Sequence, residues 1–143
     1  MNLTHSTTTK TACGSADCRW GRRSPSRFAL ARYSRSGEGL HRYTDPEDGE
    51  VYLYTQFEPN DAHRAWPCID QPDVKPEWTF HVIAPAGWVV SSNGVETATE
   101  LVDDSGALRH DFTVTRPLSS YITAIVAGPW EVIEGGTWSG GAS

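Results

Sequence analysis

Between residues 41 and 129 the chain is interrupted every few residues by a proline or a turn-forming pair, and no interval between breaks is long enough for a packed helix. Short segments bounded by turns restrict the fold to antiparallel strands, so the expected class is all-β, a sandwich or an open curved sheet. Residues 41–44 and 50–57 flank Asp45-Pro46-Glu47-Asp48-Gly49, a hairpin turn with proline at its second position and glycine at its end. Trp78, Phe80 and Val82 alternate with Thr79, His81 and Ile83, the period of a strand, until Pro85-Ala86-Gly87. Residues 88–91 read as a further strand ending at Asn93-Gly94, and Asp103-Asp104-Ser105-Gly106 as a second turn. His110, Phe112 and Val114 then alternate with Asp111, Thr113 and Thr115 as far as Pro117. Residues 121–127 are apolar on both faces and are expected to form the most buried strand, with residues 130–133 extending it past Gly128-Pro129.

The most informative stretch is residues 51–73, VYLYTQFEPNDAHRAWPCIDQPD. Tyr52, Tyr54, Thr55 and Phe57 favour a strand, which Glu58-Pro59 ends. Asn60 or Asp61 can cap one short helical turn running through Ala65 and stopped by Pro67. Asp70-Gln71-Pro72-Asp73 reads as a tight turn. Gln56 and Glu58 therefore stand at the exit of a strand beside the start of a turn, where a fold can present polar groups to a ligand.

Charge divides the chain. Residues 1–28 hold Lys10, Arg19, Arg22, Arg23 and Arg27 against Asp17 alone, whereas the whole chain carries a net charge of −6. The acidic body argues against nucleic acid as the main partner, and the absence of a long apolar run argues against a membrane span. Residues 1–30 are expected to be a disordered or foreign basic tail, and residues 135–143 a Gly/Ser-rich tail. Three cysteines, Cys13, Cys18 and Cys68, form no disulfide framework and point to a reducing, cytoplasmic setting.

No complete catalytic set is present. The histidines are His5, His41, His63, His81 and His110, and none has the i, i+4 spacing with an intervening Glu that a helical zinc site requires. His63 with Cys68 and Asp70 nearby is the one imaginable metal cluster, and a solvated or core histidine is the default reading. Gly37-Glu38-Gly39 lacks the third glycine and the βαβ context of a dinucleotide site. Cys68, between Pro67 and Ile69 with no base in view, reads as a structural thiol.

Thr55-Gln56-Phe57-Glu58, Ala62-His63-Arg64 and Pro67-Cys68-Ile69-Asp70-Gln71-Pro72 together resemble the signature of the N-terminal domain of the zinc aminopeptidases of the aminopeptidase N type, the gluzincin metallo-aminopeptidases. Gly37-Glu38-Gly39-Leu40-His41-Arg42 and Pro117-Leu118-Ser119-Ser120-Tyr121 resemble the same family, in the same order. The resemblance implies a saddle-shaped β domain over residues 31–134, incomplete because the family's first strands have no counterpart here. It also implies roles: Glu58 holds the free α-amine of a peptide and Gln56 lines the pocket for its first side chain. The family's H-E-x-x-H, its distant Glu and its G-A-M-E-N-like loop do not occur in the sequence. Zinc is thus expected in a complete enzyme and not on this chain, whose partners would be a peptide N-terminus and the catalytic domain of the same enzyme. The alternative is a non-catalytic β-sandwich module binding through exposed tryptophans, Trp66, Trp78, Trp88, Trp130 and Trp138; a coplanar exposed row would favour it, and buried rings would favour the peptidase reading.

Overall fold

The computed structural model describes residues 31–102, 104 and 106–136. The expectations placed on residues 1–30, on Cys13, Cys18 and His5, and on most of the Gly/Ser-rich end, including Trp138, lie outside the described residues.

Seven strands form two antiparallel sheets: β1 Gly39–Thr44, β2 Val51–Gln56, β3 His81–Pro85, β4 Val89–Ser92, β5 Glu96–Leu101, β6 Ala107–Phe112 and β7 Ile125–Gly128. One sheet has the order β1-β2-β7-β4 and the other β3-β6-β5. Among the described residues helical structure is confined to two 3-10 turns, Ala62–Arg64 and Ser120–Ile122. The all-β class read from turn spacing is the class observed.

The β1–β2 hairpin closes over residues 45–50 as its turn residues dictate. The Asp45 carboxylate accepts from the Glu47 N–H at 2.8 Å and the Asp48 carboxylate from the Glu50 N–H at 2.7 Å. β7 is central in its sheet, between β2 and β4, and buries Ile125, Ala127 and Gly128. It begins later than the apolar run suggests. Tyr121 and Ile122 belong to the second 3-10 turn, because the Ser120 carbonyl accepts from both the backbone and the hydroxyl of Thr123. Residues 130–133 form no strand and are exposed, Ile133 to 85%.

Trp78 and Phe80 are buried in phase with Val82, ahead of β3 proper. The Trp78 carbonyl accepts from Thr115 N–H at 2.9 Å and the Phe80 carbonyl from Phe112 N–H at 3.1 Å, so pairing with the β6 side continues beyond the regular ladder. β5 is a strand that the sequence does not announce: Glu-Thr-Ala-Thr-Glu-Leu has no buried face and is exposed at every position but Ala98. Gly94, entering β5, sits where a Cβ would lie 2.3 Å from the Thr113 carbonyl oxygen, so only glycine permits that approach.

The two sheets share one core, in which Leu53, Val90, Ile125 and Ala127 from the first meet Val82, Ala84 and Phe112 from the second. Burying each of the larger side chains contributes about 1.5–3 kcal/mol. A space of about 30 Å³ remains between Leu53, Ala127, Val82, Ala84, Trp66 and Trp88. A gap of that size takes nothing larger than a water.

Candidate functional site

The end of β2 is where the separated sequence stretches meet. Phe57, directly after the strand, is 1% exposed and packs edge-on against Trp66 with ring centres 4.8 Å apart. Trp66 in turn contacts Phe80 at 5.4 Å and Trp78 at 6.4 Å. With Phe57 fixed inward, strand alternation turns Gln56 and Glu58 outward. Both are exposed, and neither side chain has a hydrogen bond or ion pair with another described residue. Thr55 fixes the strand from the other side, its hydroxyl oxygen accepting from the Ile125 N–H of β7 at 3.0 Å.

The chain then turns back. The peptide between Glu58 and Pro59 is cis. Asp61 N–H donates to the Phe57 carbonyl at 2.8 Å and opens the first 3-10 turn. Asp61 stands at the cap position but makes no capping bond; its carboxylate accepts instead from Arg64 at 3.3 Å. Arg64 also donates to Glu38 at 3.1 Å, reaching the residue before β1. Gly39 explains how: its φ is +71°, and the place of a Cβ is 3.6 Å from Arg64 Cβ and 3.7 Å from Nε. The arginine stem packs against Gly39 at van der Waals distance, and the positive φ is what calls for glycine there. Gly39 is also the register partner of Gln56. Behind it, Gly37 N–H donates to His41 Nδ1 at 3.0 Å, and the His41 and Tyr54 rings lie 4.9 Å apart.

Asp70 ties the first 3-10 turn to the second. One carboxylate oxygen accepts from the Ser120 hydroxyl at 2.5 Å; the other accepts from the His63 N–H at 3.0 Å and lies 2.9 Å from His63 Nδ1. Burial pushes the Asp70 carboxyl up, but the bonds from Ser120 and His63 together outweigh it and hold the group below its ordinary value. The Asp70 carboxylate raises His63 correspondingly. The Ser119 hydroxyl donates to the Pro72 carbonyl, and Trp78 Nε1 donates to the Leu118 carbonyl at 3.0 Å. The tight turn itself closes one residue later than read, from Val74 N–H to the Gln71 carbonyl at 3.1 Å. Cys68 is half-buried against the core.

Gln56 and Glu58 thus stand where the sequence reading put them, close in the chain on one outward-facing corner. The reading missed the frame that holds them, Glu38–Arg64–Asp61 and His63–Asp70–Ser120. The available signal was that five of the six fall inside the motif stretches and Asp61 directly precedes one of them. His63, Cys68 and Asp70 do not form a metal cluster, and among the described residues no three His, Cys, Asp or Glu side chains are grouped to hold an ion. Among the described residues the tryptophans form no coplanar exposed row: Trp66 and Trp78 are each 3% exposed, Trp88 is half-buried, and Trp130 leans on Tyr52 at 56°.

A second polar group lies on the other sheet. Asp111 is bonded to His81 across the β3–β6 pair and accepts from Arg109 Nε at 2.8 Å, while His110 Nδ1 meets Glu96 of β5 at 2.7 Å. The His81 bond and then Arg109 hold Asp111 below its ordinary value, against burial. Thr99 and then His110 do the same for Glu96. These bonds tie strands together.

Residues 30–122 match the Peptidase M1 N-terminal domain family. The chain is similar to an aminopeptidase N of Streptomyces lividans, 44% identical over 101 residues that make up 71% of this chain and 11% of that protein. It is similar to an aminopeptidase N of Haemonchus contortus, 36% identical over 110 residues, 75% of this chain and 11% of the relative. A glutamyl aminopeptidase of Mus musculus is 31% identical over 104 residues, 71% of this chain and 11% of the relative. The matched part thus spans about a tenth of the length of these curated relatives.

Proposed function

This chain belongs to the M1 peptidases, as a Peptidase M1 N-terminal domain, and on that premise we propose that it supplies the substrate-recognition corner of a zinc metallo-aminopeptidase, a hydrolase removing N-terminal residues from peptides. Glu58 holds the free α-amine and Gln56 lines the space for the first side chain. The observation that carries this reading is the outward pair flanking a buried Phe57: a carboxylate and an amide held on a rigid strand end with no partner among the described residues.

The chemistry follows from charge. A carboxylate is the natural partner of an ammonium, and the attraction strengthens as a bound peptide excludes water. The corner is held on its inner side, because Phe57 packs on Trp66, its carbonyl accepts from Asp61 N–H, and Thr55 accepts from Ile125 N–H. The partners in this reading are a peptide N-terminus and the catalytic domain of the same enzyme. The zinc of the complete enzyme does not fit the residues described here, and no step assigned to them passes through it. No helix among the described residues is long and apolar enough to cross a membrane.

The test is steady-state kinetics on free-amine substrates, in a complete M1 aminopeptidase carrying this domain. A charge-assisted hydrogen bond is worth about 1.5–3 kcal/mol. At about 1.4 kcal/mol per decade, Glu58→Ala should lower kcat/KM by roughly 10- to 150-fold. Gln56→Ala should cost less, since a neutral amide meets only a side chain. A Glu58→Ala enzyme that folds normally and stays within twofold of the parent would remove the assignment.

A further inference from the structure

We propose that Arg64, held by Glu38 and Asp61, is a specificity-determining residue that sets which first side chain the corner accepts, favouring basic over acidic first residues. The inference rests on the reading of Gln56 as the lining of the first-side-chain space, and adds to it the residues beside Gln56.

The placement comes from Gly39. Register partners on an antiparallel pair project their side chains to the same face, with Cβ atoms about 4.5–5.5 Å apart. Gly39 pairs with Gln56, and the stem of Arg64 packs beside Gly39, 3.6 Å from where a Cβ would stand. Arg64 therefore stands beside the register partner of Gln56, one strand spacing from it. The Arg64 side chain is 42% exposed and that of Glu38 60%, while Asp61 is more enclosed at 18%. The wall beside Gln56 thus presents one cation between two carboxylates, with Glu38 outermost.

The sign of the selectivity follows. Glu58 is engaged by the α-amine, so a charged first side chain meets the remaining set, one positive and two negative groups. A carboxylate side chain approaching that wall is opposed by Glu38, and an ammonium or guanidinium is favoured. The competing reading is a surface ion pair that only staples the first 3-10 turn to β1, of the kind worth about 0–1 kcal/mol. The two readings differ in what a substitution does across substrates. A staple that loosens lowers turnover of every substrate alike. A charge on the wall changes the ratio between oppositely charged substrates.

The experiment measures kcat/KM for peptides beginning with Lys, Ala and Glu, in a complete M1 aminopeptidase carrying this domain. The variants are Glu38→Gln, Arg64→Gln and Arg64→Lys, with Glu58→Ala alongside. Glu38→Gln frees the guanidinium and should lower the Lys-to-Glu ratio by about three- to tenfold, as for charges several ångströms apart near a surface. Arg64→Gln leaves two carboxylates uncompensated and should raise the ratio by a similar factor. Arg64→Lys should keep it within twofold, and both shifts should shrink at high salt. Ratios within twofold of the parent for both neutral variants, or shifts of the same sign, overturn the proposal. Glu38 is exposed enough that its substitution reads out selectivity even if Arg64→Gln does not fold. The underlying reading is tested separately: a large loss in Glu58→Ala with unmoved ratios leaves the amine assignment standing and this inference refuted, and a silent Glu58→Ala refutes the assignment itself.

Discussion

The end of β2 and the edge strand β5 are both short, polar-surfaced elements, and they are held by opposite means. At the β2 corner, residues distant in the chain converge on a buried aromatic cluster, and the ties through Ser119 and Ser120 are enclosed, at 2% and 1% exposure, with the Arg64–Glu38 pair at the surface. Among the described residues β5 pairs with β6 alone, and two of its side-chain ties are solvent-facing, Thr97 to the Asp111 carbonyl at 3.0 Å and Thr99 to Glu96 at 2.6 Å, while Glu96 also reaches the buried His110 ring. The corner is over-determined, which is what a recognition site requires if two side chains are to keep their geometry when a ligand arrives. The edge strand is replaceable surface.

Substitutions should separate the two regions by their cost. The largest effect is expected of Trp66→Ala, which removes the ring that joins Phe57, Trp78 and Phe80; about 3–5 kcal/mol should be lost in urea unfolding. A cost under about 1 kcal/mol would mean that the cluster does not hold the corner. Asp70→Ala should come next, at about 1–3 kcal/mol, because it strands the buried Ser120 hydroxyl and releases the His63 N–H. At the other end of the scale, Leu101→Ala on β5 should stay within about 0.5 kcal/mol, since Leu101 is 65% exposed. A Leu101→Ala loss matching that of Trp66→Ala would dissolve the contrast.

Acid and base sharpen the same contrast between the large and small extremes. Asp111, Glu96 and Asp70 all titrate below their ordinary values of 3.8, 4.5 and 3.8 in the folded chain. A depressed carboxylate contributes stability above its unfolded value and loses it as pH falls through the folded one. The melting temperature should therefore drop as pH falls below about 4.5, with both regions contributing. His63 has the opposite sign: raised above 6.5 by Asp70, it contributes below that value and the contribution fades as pH rises through the raised one. In His63→Gln that part of the alkaline decline should vanish, while the acid limb keeps its Asp111 and Glu96 parts and loses some of the Asp70 part. An unchanged alkaline limb would show that the His63–Asp70 bond is indifferent to protonation.

What the sequence disclosed follows the same division. Alternation and turn residues located β1, β2, β3 and β6 because each pairs an apolar face with a polar one or ends at a breaker. β5 escaped because its stability comes from the neighbour's hydrogen bonds and not from its own side chains, and exposed Glu-Thr-Ala-Thr-Glu has no periodicity to read. Tyr121 and Ile122 read as strand because they are apolar, but the hydroxyls at Ser119, Ser120 and Thr123 set the local backbone. Gln56 and Glu58 were legible as polar groups at a strand end within a family-like motif. Their support was not, since Arg64–Glu38 and Ser120–Asp70 join residues 26 and 50 positions apart, and nothing in a single chain of letters pairs them.

The most direct measurement crosses the protein with the ligand: parent and Glu58→Ala forms of the complete enzyme, each assayed on a peptide with a free α-amine and on the same peptide with the amine replaced by hydrogen. If Glu58 reads the ammonium, the roughly 10- to 150-fold loss in kcat/KM on the free-amine peptide should disappear on the des-amino peptide, which both enzymes turn over equally slowly. An equal loss on both peptides would show that Glu58 supports the corner without touching the amine, and would contradict the recognition role.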